Sequence, residues 1–245
     1  MTVPPGSAPQ APLRTVPPGS APQAPLRTAH PLAQLITDAA AGVFPEVDGG
    51  WRHVPPWRKG LWAAVAFTGH AVFALDDVDD ARLTRLGADG FGGAHDPRVI
   101  AELAGPGTWI GCLDLLTVAA GTGAGGSDLV PRLDLAYHPR VEPARALRSD
   151  LHVWGYPDSE SVAIVATGIA GLTEISFELD PVQRGRGNGS KLIADVLGLV
   201  PAGEPVLACV SPGNAASLRA LLRAGFVPVG SVQLFGPAGA DYGGR

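Results

Sequence analysis

The 245-residue chain is poor in cysteine, methionine and charge. Cys112 and Cys209 each stand alone in an apolar run, with no second cysteine nearby. A CxxC-type metal site is therefore absent, no metal is expected, and a disulfide framework has nothing to build on. Both residues read as buried free thiols in a reducing compartment. Charged residues make up 17% of the chain, below the roughly 25% of ordinary soluble proteins. Only 18 are Lys or Arg against 23 Asp or Glu, for a net charge of −5. A protein that grips a nucleic-acid backbone needs a basic surplus, so no nucleic-acid partner is expected. The most apolar stretch, 61–75, carries His70 and falls short of the roughly 20 residues that span a membrane. Met1 leads into Pro-rich sequence rather than a charged segment and then an apolar one, so no secretory leader and no membrane association are expected. The reading is a soluble, cytoplasmic protein.

Hydrophobic residues make up 46% of the chain, enough for a sizeable core, and the 33 glycines and 24 prolines imply many loops. Residues 2–14 read TVPPGSAPQAPLR, and residues 15–27 repeat them without change. A Pro-, Ser- and Gln-rich copy has no hydrophobic face to bury, so residues 1–30 are expected to form a disordered, polyproline-like tail.

Helical spacing of Leu32, Leu35, Ile36, Ala39 and Val43 comes directly after Pro31. Two short strands around Thr68-Gly69-His70 form a hairpin in 61–75. A helix with an acidic first turn is expected over 76–86, another opens at Asp96-Pro97 and closes at Gly105, a strand covers 113–118, and a flexible loop covers 121–126. Downstream, 144–154, 162–167 and 172–179 read as three strands joined by tight turns. A helix over 189–199, a strand over 205–210, a helix over 215–224 and a strand over 227–235 complete a βββαβαβ order. The last strand would end the sheet or pair across a dimer; the oligomeric state stays open.

Arg184-Gly185-Arg186-Gly187-Asn188-Gly189-Ser190 lies between the third of these strands and its helix. Alternate glycines let the backbone turn sharply, and the unpaired N–H groups of the following helix point into the turn. Such a loop suits phosphates, with Arg184 and Arg186 adding charge, though a plain tight turn has the same look. A P-loop fits worse because the order is Gly189-Ser190-Lys191 rather than Gly-Lys-Ser/Thr. A dinucleotide fingerprint also fits worse, because Ser190 stands at its third glycine and the upstream strands form hairpins, although a nucleotide-binding regulatory domain using the same loop stays open.

Arg184-x-x-Gly187-x-Gly189 resembles the [Q/R]xxGx[G/A] motif of the GNAT superfamily of acetyl-CoA-dependent N-acetyltransferases. Asn214-Ala-Ala-Ser217, running on to Gly225-Phe226, resembles that family's N-x-x-[A/S] helix ending in Gly-Phe. The resemblance covers about residues 141–236. It implies an α/β fold with a mixed, mostly antiparallel, GNAT-like sheet flanked by helices. Residues 31–140 would be an extended N-terminal α/β region covering the acceptor side, and 141–245 the acetyl-CoA-binding domain. It further implies that the backbone of Phe177–Leu179 pairs with the pantetheine arm and that Arg184, Gly185, Arg186, Gly187, Asn188, Gly189 and Ser190 hold the diphosphate. Asn214 would contact the pantetheine arm, and the acetyl group would lie where the strands splay apart.

An attacking amine must be neutral, so a base helps. Strand alternation places Leu172, Glu174, Ser176 and Glu178 on one face, and Thr173, Ile175, Phe177 and Leu179 on the other; a bulge near Glu178 would alter that parity. Glu174 stands where some members of the family carry a catalytic glutamate and is the candidate base, with Glu178 in reserve; an exposed carboxylate without a role is the alternative. Many members carry a tyrosine acid at the position of Leu221, which leaves Ser217 as the available hydroxyl. His138 and His152, and Trp51, Trp57 and Trp62, read as surface or packing residues, the tryptophans alternatively lining an acceptor pocket. The function implied is direct acetyl transfer from acetyl-CoA to a primary amine on a small molecule or peptide. The alternative is a catalytically inactive acyl-CoA-binding or regulatory module.

Overall fold

The computed structural model describes residues 30–76, 78–125 and 128–236. The tandem repeat and the expected tail lie outside these residues up to residue 29; His30 is described and caps α1, its ring accepting from the Leu32 N–H. The described elements run α1 (Pro31–Ala40), β1 (Trp51–Val54), β2 (Trp62–Phe67), β3 (His70–Ala74), α2 (Asp80–Leu86), α3 (Pro97–Ala104), β4 (Ile110–Ala120) and β5 (Val130–Pro131). Then come α4 (Val141–Leu147), β6 (Ser149–Gly155), β7 (Val162–Thr167), β8 (Thr173–Glu178), α5 (Asn188–Leu199), β9 (Pro205–Val210), α6 (Ala215–Arg223) and β10 (Val227–Phe235).

All ten strands join one sheet in the order β1-β3-β2-β10-β4-β9-β8-β7-β6-β5. Only β1/β3 and β8/β9 are parallel. The expectation of a mixed, mostly antiparallel sheet flanked by helices holds. Residue 140 does not divide this sheet, because β4 lies between β9 and β10. The last strand neither ends the sheet nor keeps a free edge: β10 pairs with β2 on one side and β4 on the other. Sequence could not show this, because the strands that flank β10 come from far upstream.

Burial explains the layering. Successive residues of a strand face opposite sides, and both sides of the central strands are apolar. On one side Leu32 and Ile36 of α1 pack with Leu116, Leu207, Val232 and Ile169, and Val141 and Ala144 of α4 pack with Val162 and Ile164. On the other side α5 and α6 cover Ile175, Val206, Ala208 and Phe226, while α2 and α3 cover Phe73, Ala64 and Phe235.

Local signals behave as physics requires. Asp96 caps α3 by accepting from the Arg98 N–H at 2.8 Å, and Pro97 occupies its first turn. Asp79 caps α2, so that helix starts later than residue 76. The strand expected over 144–154 is corrected: residues 141–147 are helical and the strand begins at Ser149. Pro143 sits in the first turn of that helix, where its missing N–H costs nothing, and Val141 and Ala144 turn inward. Asp150, at φ 52°, marks the irregular start of β6.

Candidate functional site

The loop after β8 ends at Gly187, whose φ of 82° is the left-handed value that favours glycine. No side chain caps α5. Among the described residues, the amides of residues 185–190 donate to no protein acceptor; the first to do so is Lys191 N–H, 3.4 Å from the Gly187 carbonyl. A Cβ on Gly187 would meet nothing within 4 Å. Gly185 and Gly187 are exposed, whereas Gly189 is buried, and several orphan donors at the positive end of a helix are the makings of an anion cradle. The side chains brace the loop from behind. Asn188 Nδ2 donates to the Gln183 carbonyl (3.1 Å) and to its Oε1 (2.6 Å), and Ser190 Oγ donates to the Gly187 carbonyl at 2.9 Å. Arg184 turns back instead, donating from Nε to the Leu179 carbonyl at 3.1 Å and lying 3.5 Å from Glu178. Arg186 is exposed. Nothing in the loop blocks a diphosphate, so its geometry fits that group.

Beside the loop the sheet opens. β8 pairs with β9 only at Thr173↔Val206 and Glu174↔Leu207, whereas its pairing with β7 continues to Glu178 without a register shift. The bulge considered near Glu178 is absent from that ladder. Beyond Glu174 one edge of β8, including Phe177, faces no strand. Because β8 and β9 are parallel, the wedge opens towards the starts of both α5 and α6. Asn214 caps α6, its Oδ1 accepting from the Ser217 N–H at 3.1 Å, and the Asn214 side chain is exposed. Ser217 is half-buried, and Leu221 is packed into the core.

The side of the wedge shared with α1 and α4 is polar. Glu174 and Ser176 are buried there. Arg148, from the end of α4, donates to Glu174 Oε1 at 2.5 Å and to Ser176 Oγ at 2.9 Å. The other Glu174 oxygen accepts from the Ile169 N–H at 3.3 Å. Glu174 is thus a buried ion-pair partner, not an exposed carboxylate, and both its oxygens are engaged. Glu178 is more open, beside Arg184. Two residues of this face, Arg148 and Asp114, went unnoticed in the sequence. Leu116 lies opposite Cys209 in the β4/β9 register, so Asp114, two residues earlier on β4, stands diagonally across from Cys209 on the same face. Burial and the neighbouring Glu174 charge push the Asp114 carboxyl up, against the pull of Arg140 and Arg148. Burial likewise pushes the Cys209 thiol up. A lone aspartate inside the apolar run Ile110–Ala120 was the available signal; nothing in the sequence marked Arg148.

A cleft of about 380 Å³ runs along the back of the loop, touching Tyr156, Ser159, Asn188 and Lys191. In it Tyr156 hydrogen-bonds to Asp195, and Lys191 Nζ donates to Asp195 at 2.7 Å. His138 accepts from the Arg140 N–H, and Trp51, Trp57 and Trp62 pack partly buried against the core. Among the described residues no group of three or more His, Cys, Asp or Glu could hold a metal, and no helix is long and apolar enough to cross a membrane.

The sequence matches no protein-family model and no curated protein. Among solved structures, 54% of the chain is similar to 69% of a proposed GNAT-family acetyltransferase from Novosphingobium aromaticivorans, at 20% identity and a TM-score of 0.39. A GCN5-related N-acetyltransferase from Kribbella flavida is similar over 61% of this chain and 65% of its own, at 15% identity and a TM-score of 0.35. A Staphylococcus epidermidis protein of unknown function is similar over 57% and 66%, at 16% identity and a TM-score of 0.39. Likeness at this level decides nothing about chemistry, which has to be argued from the site.

Proposed function

We propose that this chain is an acyltransferase that moves an acetyl group from acetyl-CoA directly to an amine. The observation that carries the proposal is the run of unpaired amides at residues 185–190, set beside a wedge where β8 and β9 part. In this reading those amides hold the diphosphate, and the free edge of β8 at Phe177 to Leu179 pairs with the amide-bearing arm. Asn214 touches that arm from the start of α6. The wedge then brings the thioester to the polar face carrying Glu174, Ser176 and Cys209, and a β8 N–H in the wedge stabilises the developing oxyanion. Ser217 is the hydroxyl placed to protonate the departing thiolate. Residues 31–140 supply the acceptor side, no metal takes part, and the protein works in the cytoplasm.

The test is calorimetric titration of acetyl-CoA into the chain and its Gly187→Glu variant. A carboxylate in the cradle should weaken binding at least tenfold; unchanged affinity would overturn the proposal. A second reading, a silent acyl-CoA-binding module, is favoured by one observation: Leu221, buried in the core, stands where an acid hydroxyl would otherwise be. Thiol release from acetyl-CoA with a panel of amines separates the two. Binding without turnover, unaltered in Glu174→Gln, assigns the silent module.

A further inference from the structure

Ser176 stands on β8 two residues past Glu174, the last residue of that strand to pair with β9. It is only 5% exposed. A serine hydroxyl has one donor and two acceptor positions. Arg148 Nη1 fills an acceptor position at 2.9 Å, but among the described residues the Ser176 hydroxyl donates to no protein acceptor. Its surroundings explain why. Ile164, opposite it on β7, is apolar and buried. Glu174, its neighbour on the same strand face, is held on one oxygen by Arg148 and on the other by the Ile169 N–H. Towards β7 the ladder is closed as far as Glu178, so the edge towards β9 is the side of β8 that faces no strand here. A buried donor without an acceptor is destabilising, and the open direction is the wedge.

Arg148 sets the direction of that donor. A guanidinium is a rigid planar fork. One arm lies on Glu174 Oε1 at 2.5 Å and the other on Ser176 Oγ at 2.9 Å. The ion pair thereby fixes which lone pair of Ser176 is taken and where the hydroxyl proton is left to point. An oxygen that accepts from a cation also becomes a better donor, because hydrogen bonds in a chain polarise one another.

We propose that Ser176 is a catalytic donor, its hydroxyl binding the thioester carbonyl oxygen and stabilising the charge that develops there, with Arg148 behind it as a positioning residue. The proposal rests on the acetyl-transfer reading and adds a side-chain donor to the β8 N–H. In the step, the lone pair of a neutral amine forms the C–N bond at the thioester carbon while the carbonyl π pair moves onto oxygen. Ser176 donates to that oxygen and keeps its own proton. The pair then returns to re-form the carbonyl, and the C–S bond breaks. The nitrogen loses one proton and the sulfur gains one, so the sum is amide and thiol. A donor already set in place needs no rearrangement as the charge appears.

The test uses the full chain with acetyl-CoA carrying carbon-13 at the thioester carbonyl. The infrared band of the bound thioester and thiol release with a panel of amines are both read. Ser176→Ala removes the hydroxyl alone. The bound band should lie at higher wavenumber in Ser176→Ala than in the wild type, and kcat should fall about a hundredfold while KM for acetyl-CoA barely moves. Arg148→Lys keeps the charge and loses the fork. It should slow turnover in the wild type and add little in Ser176→Ala, because it acts through that hydroxyl. A band at the same wavenumber in both chains, a kcat unchanged in Ser176→Ala, or losses that simply multiply in the double variant each overturn the proposal, and the transfer reading survives wherever the wild type releases thiol. If the band moves in Ser176→Ala but no amine gives turnover, the Ser176 contact stands and the transfer reading fails. If no band of bound acetyl-CoA is seen, both fail.

Discussion

The two sides of β9 behave differently. Towards β4 it pairs at six consecutive positions, from Leu115↔Val210 to Ala120↔Pro205. Towards β8 it pairs at two. The closed side is an ordinary apolar ladder, reinforced by the Thr117 hydroxyl, which donates to the Ala208 carbonyl at 2.7 Å in a fully buried setting. On the open side a buried ion pair sits at the point where pairing stops. One strand can thus be sealed along one edge and parted along the other, with apolar packing along the sealed edge and an ion pair where the parting begins.

The largest expected effect comes from the open side. Arg148→Ala leaves Glu174 buried without its partner and should destabilise the chain by about 3–5 kcal/mol, measured by urea unfolding. An unchanged midpoint would show that the pair does not hold the apex. Gly168→Ala comes next. A Cβ there would land on the Glu174 carboxylate, so the ion pair has to shift, costing about 1–3 kcal/mol. Thr117→Val, on the closed side, should cost about 1 kcal/mol through one lost hydrogen bond and leave acetyl-CoA affinity unchanged. Weakened binding would mean that the two sides are coupled. The smallest effect concerns pH. The folded chain raises the Asp114 carboxyl above its unfolded value, so the native state binds that proton more tightly than the unfolded chain does. The ionised form then costs stability at neutral pH, and the cost fades as pH falls through the carboxylate range. Asp114→Asn should raise Tm at pH 7 by on the order of 1 °C, and the gain should disappear in acid; a gain that persisted there would mean a cause other than charge.

Much of the carboxy-terminal frame was legible because it is local. Hairpin turns, the Gly187 loop and the apolar faces of α5 and α6 are all written in short windows of sequence. The helix at 141–147 was not, since its inward face is only Val141 and Ala144, too little to outweigh the strand-like residues that come after it. The site was half legible for the same reason. Glycine spacing marked the turn that leads into α5, but whether Glu174 is free or held depends on Arg148, 26 residues away. Asp114 meets Cys209 only once β4 has come to lie against β9. Pairings made in three dimensions leave no periodic trace along the chain.

β10 sits in the middle of the sheet although it is the last described strand to be synthesised. While a ribosome is still making residues 227–235, β2 and β4 have no partner between them, and two unsatisfied strand edges face water. The sheet can close only after translation has passed this point, by threading its last described strand between two made earlier. A nascent copy stalled short of residue 227 would leave those edges open to pairing with its neighbours on the polysome.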